Sequence, residues 1–441
     1  MKGQITIAGV ALLLLASPPA SPGEGRRNVS LRINRTNESS AEIVWQSKSA
    51  VPAPGLQLCP DYQLEKSGDL NNWSSLGSKL AGSSNGLPQT LRAVDANALG
   101  DRAFYRVESI IDEPFADFNQ ARLGSGELAG ANFFGARFFS ATLTNADLTG
   151  ADLRGTDLRF ADLSDALLNT ADLFAADLTL ATMEFASLRQ ADVSFAGLEG
   201  AALIVADLTG ADLRSAILTG ADLRLAILHQ SQIDGNTRLD AKWRRVWEIV
   251  NHQTATLNFT NADLSFADLH GADFHLANLT RANLNFADLS FADLRGANLS
   301  LANLPFVMLS GTQLDPNTLI EAKSRLVWEI VNQGAVGRDL HGTNLSSTFL
   351  ADTDMRGVNL TNANLNSAAL FRANLGGANL RSANLSSVDF FSAILTNATL
   401  NSANLNSANL TKANLFGATT NGATFLGAIF NQTIMPDGSI R

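Results

Sequence analysis

Apolar residues recur at every fifth position of this chain, and they do so in three long runs. The clearest stretch is Ala146-Asp147-Leu148-Thr149-Gly150-Ala151-Asp152-Leu153, with Leu or Phe at the centre of each unit, Ala two places before it, and Asp or Asn between them. Counted in steps of five, centres run from Phe118 to Ile233 in 24 units, from Phe259 to Leu314 in 12, and from Leu340 to Met435 in 20. A period of five suits neither regular element. Residues five apart are spread around a helix, and strict strand alternation would leave half of the Leu side chains in water. Both inward residues of every unit are satisfied if the chain turns a corner every five residues and winds into a coil. Successive turns then pair backbone to backbone about 4.8 Å apart. Ala must be small where several walls converge on a narrow interior, and Leu fills the axis at close packing.

The phrase A-[DN]-L-x-x, as in residues 151–155 and 403–407, resembles the pentapeptide-repeat proteins. The resemblance implies an all-β fold, a right-handed quadrilateral β-helix with four units per coil, over residues 114–441. All three run lengths are multiples of four, so on the family's geometry they make about 14 coils, and both interruptions leave from the same corner.

The two interruptions are copies of one another. Residues 236–251 align without gaps on residues 317–332. Helices are expected at 237–252 and 318–333, because Thr237 with Asp240 and Thr318 with Glu321 have capping-box spacing and Gly334 is placed to stop the second. Leu239, Trp243, Val246, Trp247 and Val250 fall on one helical stripe, matched by Ile320, Val327, Trp328 and Val331, with Ser324 in place of the first Trp. The shared run Val-Trp-Glu-Ile-Val-Asn resembles an insert found in a subset of the family. A docking surface is expected at Phe266, Phe286 and Phe306, which are 20 residues apart and therefore stack on one outer face. That ladder, with Trp243, Trp247 and Trp328, forms the candidate surface for helix docking or for a partner.

Ahead of the repeat, residues 1–20 read as a secretory signal: Lys2, then an apolar run from Ile5 to Ala16 too short to span a bilayer, then Ser17-Pro18-Pro19-Ala20. Residues 27–113 lack the five-residue period and instead carry short alternating runs separated by turn clusters, which predicts a small β-sandwich. Glu42-Ile43-Val44-Trp45, Asn72-Trp73 and Phe104-Tyr105-Arg106-Val107 resemble a fibronectin type III-like, Ig-like domain, with Trp45 and Tyr105 as core markers. Such a module would also shield the open edge of the coil.

Charge and chemistry narrow the function. A single Cys59 offers no internal disulfide, and a net charge of −10 argues against nucleic-acid binding. The first run carries 15 acidic residues against 7 Arg, whereas the third has 3 against 4 basic residues because Asn replaces Asp. Asp and Asn both form turns through side-chain-to-backbone hydrogen bonds. The five His residues, His229, His252, His270, His275 and His341, make no metal-type pair. With no phosphate loop or nucleophile elbow, neither catalysis nor a cofactor is expected. The expected role is an exported structural or protein-interaction solenoid, periplasmic, cell-surface or secreted, with a protein or cell-surface partner and no transmembrane segment in the mature chain. Family resemblance adds a homodimer through the C-terminal coil. Two other readings stand beside this one. Some family members mimic DNA and bind type II topoisomerases, which the acidic first run would suit. A carbohydrate- or surface-binding adhesin would use the Asn/Ser/Thr walls of the third run.

Overall fold

A chain that turns every five residues cannot pair with its near neighbours, so its peptide groups must find partners one full turn away. In the structure, a computed structural model, the middle residues of the units pair in parallel at an offset of 20: Asp117 with Arg137, Asp152 with Asp172, Asn364 with Asn384. Four pentapeptides therefore complete one turn. In the uninterrupted coils the central amide donates nineteen residues ahead, as Leu153 N does to Asp172 O at 2.7 Å, and the corner amide does the same, as Gly155 N does to Phe174 O at 2.9 Å. Ala and Leu of every unit fill the interior; Ala151, Leu153, Ala161 and Leu163 have no exposure.

The corner is the costly part. The fifth residue of the unit sits in the left-handed region whatever its identity, with φ 57° at Asn145 and Phe160, 59° at Leu180 and 60° at Leu301. An L side chain there costs roughly 1–2 kcal/mol. Two bonds hold the turn against that cost: the corner amide's bond to the next coil, and the side chain of Asp or Asn, which accepts the N–H two residues on. Asp147 Oδ1 accepts from Thr149 N at 3.0 Å, and Asn364 Oδ1 from Asn366 N at 3.2 Å.

The structure describes residues 115–251 and 257–441, together with the backbones of the strands between residues 3 and 110. Two compact units result, one of residues 1–222 and 231–239, the other of residues 223–230 and 240–441. In the first, β1 (Gly3–Ile7) pairs antiparallel with β2 (Val10–Leu14). Next come β3 (Asn28–Asn37), β4 (Ser40–Lys48), β5 (Asp61–Ser67), β6 (Ser74–Ser75), β7 (Gln89–Asp95) and β8 (Phe104–Ile110). They make two three-stranded antiparallel sheets, ordered β3-β4-β7 and β6-β5-β8. The side chains of Trp45 and Tyr105 lie outside the described residues, as do Cys59 and His252.

The helices are α1 (Ala241–Val250) and α2 (Ala322–Gln333), which begin later than the expected 237 and 318. The coil takes those residues first. Residues 234–239 and 315–320 each form one further wall unit, six residues long, with Arg238 pairing on Ile217 and Leu319 on Asn298. Thr237 and Thr318 are therefore not capping-box residues. They occupy the inward place of Ala, where Thr237 Oγ1 donates to Leu213 O at 3.0 Å and Thr318 Oγ1 to Leu294 O at 2.9 Å. Asp240 and Glu321, at the N-caps, make no side-chain cap bond. Leu239 and Ile320 accordingly belong to the coil and not to the helical stripe.

Each helix is clipped to the coil on either side of it. Asn332, in the last turn of α2, stands in for a missing ladder strand. Its Oδ1 accepts from Gly311 N at 2.6 Å and its Nδ2 donates to Leu309 O at 2.9 Å. Asn251 of the first copy repeats the second bond, Nδ2 to Leu228 O at 3.0 Å. At the other end, Lys242 Nζ donates to Ser265 Oγ at 3.0 Å, and Lys323 Nζ to the Ser346 carbonyl. Past each helix the ladder resumes with a jump: Leu225 N bonds Phe266 O, and Phe306 N bonds Ser347 O. At the C-terminus the chain folds back beyond Pro436, pairing Ile434 with Ile440 antiparallel.

Two neighbouring leucines separate wall from corner. Leu299→Ala empties the interior and is expected to lower unfolding free energy by about 2–5 kcal/mol. Leu301→Gly relieves the left-handed corner and is expected to raise it by up to about 1 kcal/mol; chemical denaturation of both variants checks the opposite signs. Asn332→Ala leaves the Gly311 amide without its acceptor and should cost about 1–2 kcal/mol in the same measurement.

Candidate interaction site

The repeat spends its polar groups locally. Asp152, Asp157, Asp212, Asp293 and Asp354 each accept the backbone N–H two residues on and also hold the Arg at that position. Nη2-to-Oδ2 separations are 2.6 Å for Arg154–Asp152, 2.7 Å for Arg159–Asp157 and 2.6 Å for Arg295–Asp293. The guanidinium keeps each of these carboxyls below the usual carboxylate range, against the opposing effect of partial burial. Such exposed pairs add little stability. They do lower the bare negative charge of the wall.

Two carboxylates stand apart, at the six-residue units before the helices. Asp234 accepts from the amides of Ser215 (2.9 Å), Asn236 (3.0 Å) and Thr237 (2.8 Å). Asp315 accepts from Gly296 (2.9 Å), Asn317 (3.0 Å) and Thr318 (2.8 Å). These amides, the cross-coil one foremost, hold Asp234 well below the carboxylate range and bring Asp315 down to about 2.

The Phe ladder is present as stacked rings. Phe266 and Phe286 lie 4.9 Å apart at 10°, and Phe286 and Phe306 lie 4.5 Å apart at 9°. All three occupy left-handed corners, with φ between 53° and 56°. Phe286 is 36% exposed, while Phe266 and Phe306 are half-buried. The Arg224 guanidinium lies 5.9 Å from the Phe266 ring centre. The helices sit in the breaks between coils. Trp243 is buried; Trp247 and Trp328 are half-buried, and Trp328 Nε1 donates to Thr312 O at 2.7 Å.

Sequence reasoning missed the residues that seat the helices: Asn251, Asn332, Lys242 and Lys323. The signal was available, since all four lie at matched positions of the two copies. It also missed a cavity of about 220 Å³ beneath α2, with Leu304, Val307, Leu309, Val327 and Phe349 in its wall. Among the histidines, His229 Nε2 stands 3.6 Å from Asp268 Oδ1, and the His229 and His270 rings are 6.3 Å apart. Among the described residues no three His, Cys, Asp or Glu side chains gather as a metal site.

A family model described as "Pentapeptide repeats" matches eight overlapping segments, at residues 116–155, 131–169, 156–194, 194–230, 258–290, 282–315, 339–377 and 368–406. Together they cover more than half of the chain. Among solved structures, HetL, a pentapeptide repeat protein of the cyanobacterium Nostoc involved in heterocyst differentiation regulation, is 28% identical. The match spans 69% of this chain and 91% of that one, with a TM-score of 0.19. A pentapeptide repeat protein of the Arabidopsis thaliana thylakoid lumen is 31% identical over 24% of this chain and 71% of that one, with a TM-score of 0.22. Full-length QnrB1, a plasmid-mediated fluoroquinolone resistance protein, is 13% identical over 71% and 88%, with a TM-score of 0.14. No curated protein sequence matches the chain.

The Asp315 carboxylate gives a pH signature. Folding lowers its pKa from 3.8 to about 2, so its contribution is complete above about pH 4 and is lost as pH falls from 4 towards 2. The Asp315→Asn variant is expected to lose less stability than the parent over that window, as read by thermal melts at graded pH.

Proposed function

This chain belongs to the pentapeptide-repeat family, and from that premise we propose that it is an exported, non-catalytic scaffold whose coil walls bind a protein or cell-surface partner. One observation carries the reading. Large apolar side chains stand exposed at corners where Gly or Asn would cost least: Phe160, Phe185 and Phe195 are 51%, 57% and 59% exposed, with φ of 57° to 59°. Such residues bear a conformational cost and a solvation cost with no return inside the coil. Phe160 continues into Leu180, 20 residues on at the same corner and 49% exposed, and the Phe160 ring lies 5.4 Å from that of Phe139, while Phe195 lies 5.3 Å from Phe174, itself 42% exposed. Contiguous exposed apolar groups of this kind mark contact surfaces.

Export rests on the charged, apolar and small-residue succession of residues 1–20. The strand order β3-β4-β7 and β6-β5-β8 supports the fibronectin type III-like reading of residues 27–113 as a spacer or docking module. A homodimer through the C-terminal coil is supported by Leu426 and Ile440, which are 80% and 74% exposed there. The DNA-mimic reading draws on the acidic first run, but several of its carboxylates are already held by Arg. On the scaffold reading, the chain has no effect in a gyrase supercoiling assay.

The decisive test combines fractionation with photo-crosslinking in intact cells. The processed chain is expected outside the cytosol, with crosslinked species that disappear in a Phe160/Phe185/Phe195→Ser triple variant of unchanged thermal stability. An unprocessed cytosolic chain, or crosslinks indifferent to the three substitutions, would sink the proposal.

A further inference from the structure

The two helical inserts are one design executed twice, and they differ at the point where a cavity opens. Position for position, 81 residues apart, Trp243 of α1 becomes Ser324 of α2, and Phe266 of the following coil becomes Ser347. The polar clips and the wall leucines around these positions are kept, while Ala226, Ala267 and Asp268 become Val307, Thr348 and Phe349. Lys242 and Lys323 clip to Ser265 and Ser346, Asn251 and Asn332 bind the Leu228 and Leu309 carbonyls, and the ladder jumps 41 residues in both cases. In the first copy Trp243 is buried at 7% exposure, and Leu223 is 1% exposed. In the second copy Ser324 and Ser347 line the cavity of about 220 Å³, and Leu304, the counterpart of Leu223, is 7% exposed.

We infer that the space beneath α2 is a binding site for a neutral, indole-sized aromatic group, which takes the place that Trp243 fills in the first copy. Size agrees: an apolar cavity of about 150 Å³ takes benzene, and this one is larger. The lining suits a ring with a polar edge, because Leu304, Val307, Leu309, Val327 and the Phe349 ring, where the first copy has Asp268, stand beside the polar Asn303, Glu321, Lys323 and Thr348. Electrostatics selects for a neutral ring bearing a donor. The Lys323 ammonium on the rim is held by the Ser346 carbonyl. The Glu321 carboxylate lies in the lining and is bound only at Oε1, by Ser324 Oγ at 2.9 Å, so it can accept an indole N–H.

The test titrates indole into the full chain, read by calorimetry and saturation-transfer NMR. One site per chain is expected, abolished by Ser324→Trp, with folding checked by circular dichroism. Should that variant fail to fold, Ser347→Phe restores the other missing ring and is expected to weaken binding at least tenfold. Trp243→Ser combined with Phe266→Ser, which empties both places in the first copy, is expected to raise the stoichiometry to two. 1-Methylindole, which lacks the N–H, is expected to bind several-fold more weakly, and equal binding would overturn the role given to Glu321. N-acetyltryptophanamide separates the sources of the ring. Binding that Ser324→Trp abolishes points to a side chain presented by a peptide, whereas no binding beside bound indole points to a free small molecule. Absence of indole binding at millimolar concentration, or binding undiminished in both filled variants, overturns the inference.

Discussion

Everything in the repeat depends on one constraint, which is that the chain must enter the left-handed region every fifth residue and be held there. The backbone does not favour this for L side chains, and 38 non-glycine residues among those described nevertheless adopt it. The turn survives because it places a corner amide against a carbonyl of the next coil and lets an Asp or Asn side chain satisfy the amide before it. The same bonds draw the walls together, so that Ala and Leu meet inside with no room to spare. Turn chemistry, inter-coil pairing and interior packing are thus consequences of a single geometry.

Breaking such a ladder exposes unpaired peptide groups on both sides of the break, and the inserts show how the chain manages it. A six-residue unit, anchored by Asp234 or Asp315, brings the wall to a controlled end. The helix that follows then lends side chains where backbone is missing. Asn332 is the clearest case, since its amide presents a carbonyl and an N–H in the way a peptide would. The helix brings apolar residues of its own, including Val246, Ile249, Val327 and Ile330, which are buried. Fidelity of the polar clips contrasts with divergence of the apolar filling. Clips must match fixed backbone atoms, whereas filling only has to occupy volume.

Surface chemistry divides along the same line. Carboxylates at the middle of each unit are committed to the turn beneath them, and several are matched by an Arg two residues on, so the acidic first run is less of a charged wall than its composition suggests. Side chains at the corners carry no such duty. Their identity varies from Gly to Phe at nearly constant φ, which makes the corners the place where one coil can be distinguished from another by whatever it meets.

The sequence by itself determined the repeat, its phase and its interior, because a strict five-residue rhythm leaves one way to bury the Ala and the central Leu of every unit. It also disclosed the helices and their duplication through 3.6-residue periodicity. Where the helices begin was a tertiary decision: Thr237 and Thr318 have the spacing of a cap, yet a carbonyl on the neighbouring coil, Leu213 or Leu294, is a better partner for each hydroxyl. The alignment exposed the exchange of Trp243 for Ser324, but only the packed chain turned it into a cavity. A smaller residue leaves a void only if its neighbours are held from collapsing inward, and the ladder hydrogen bonds and the Lys and Asn clips hold them apart.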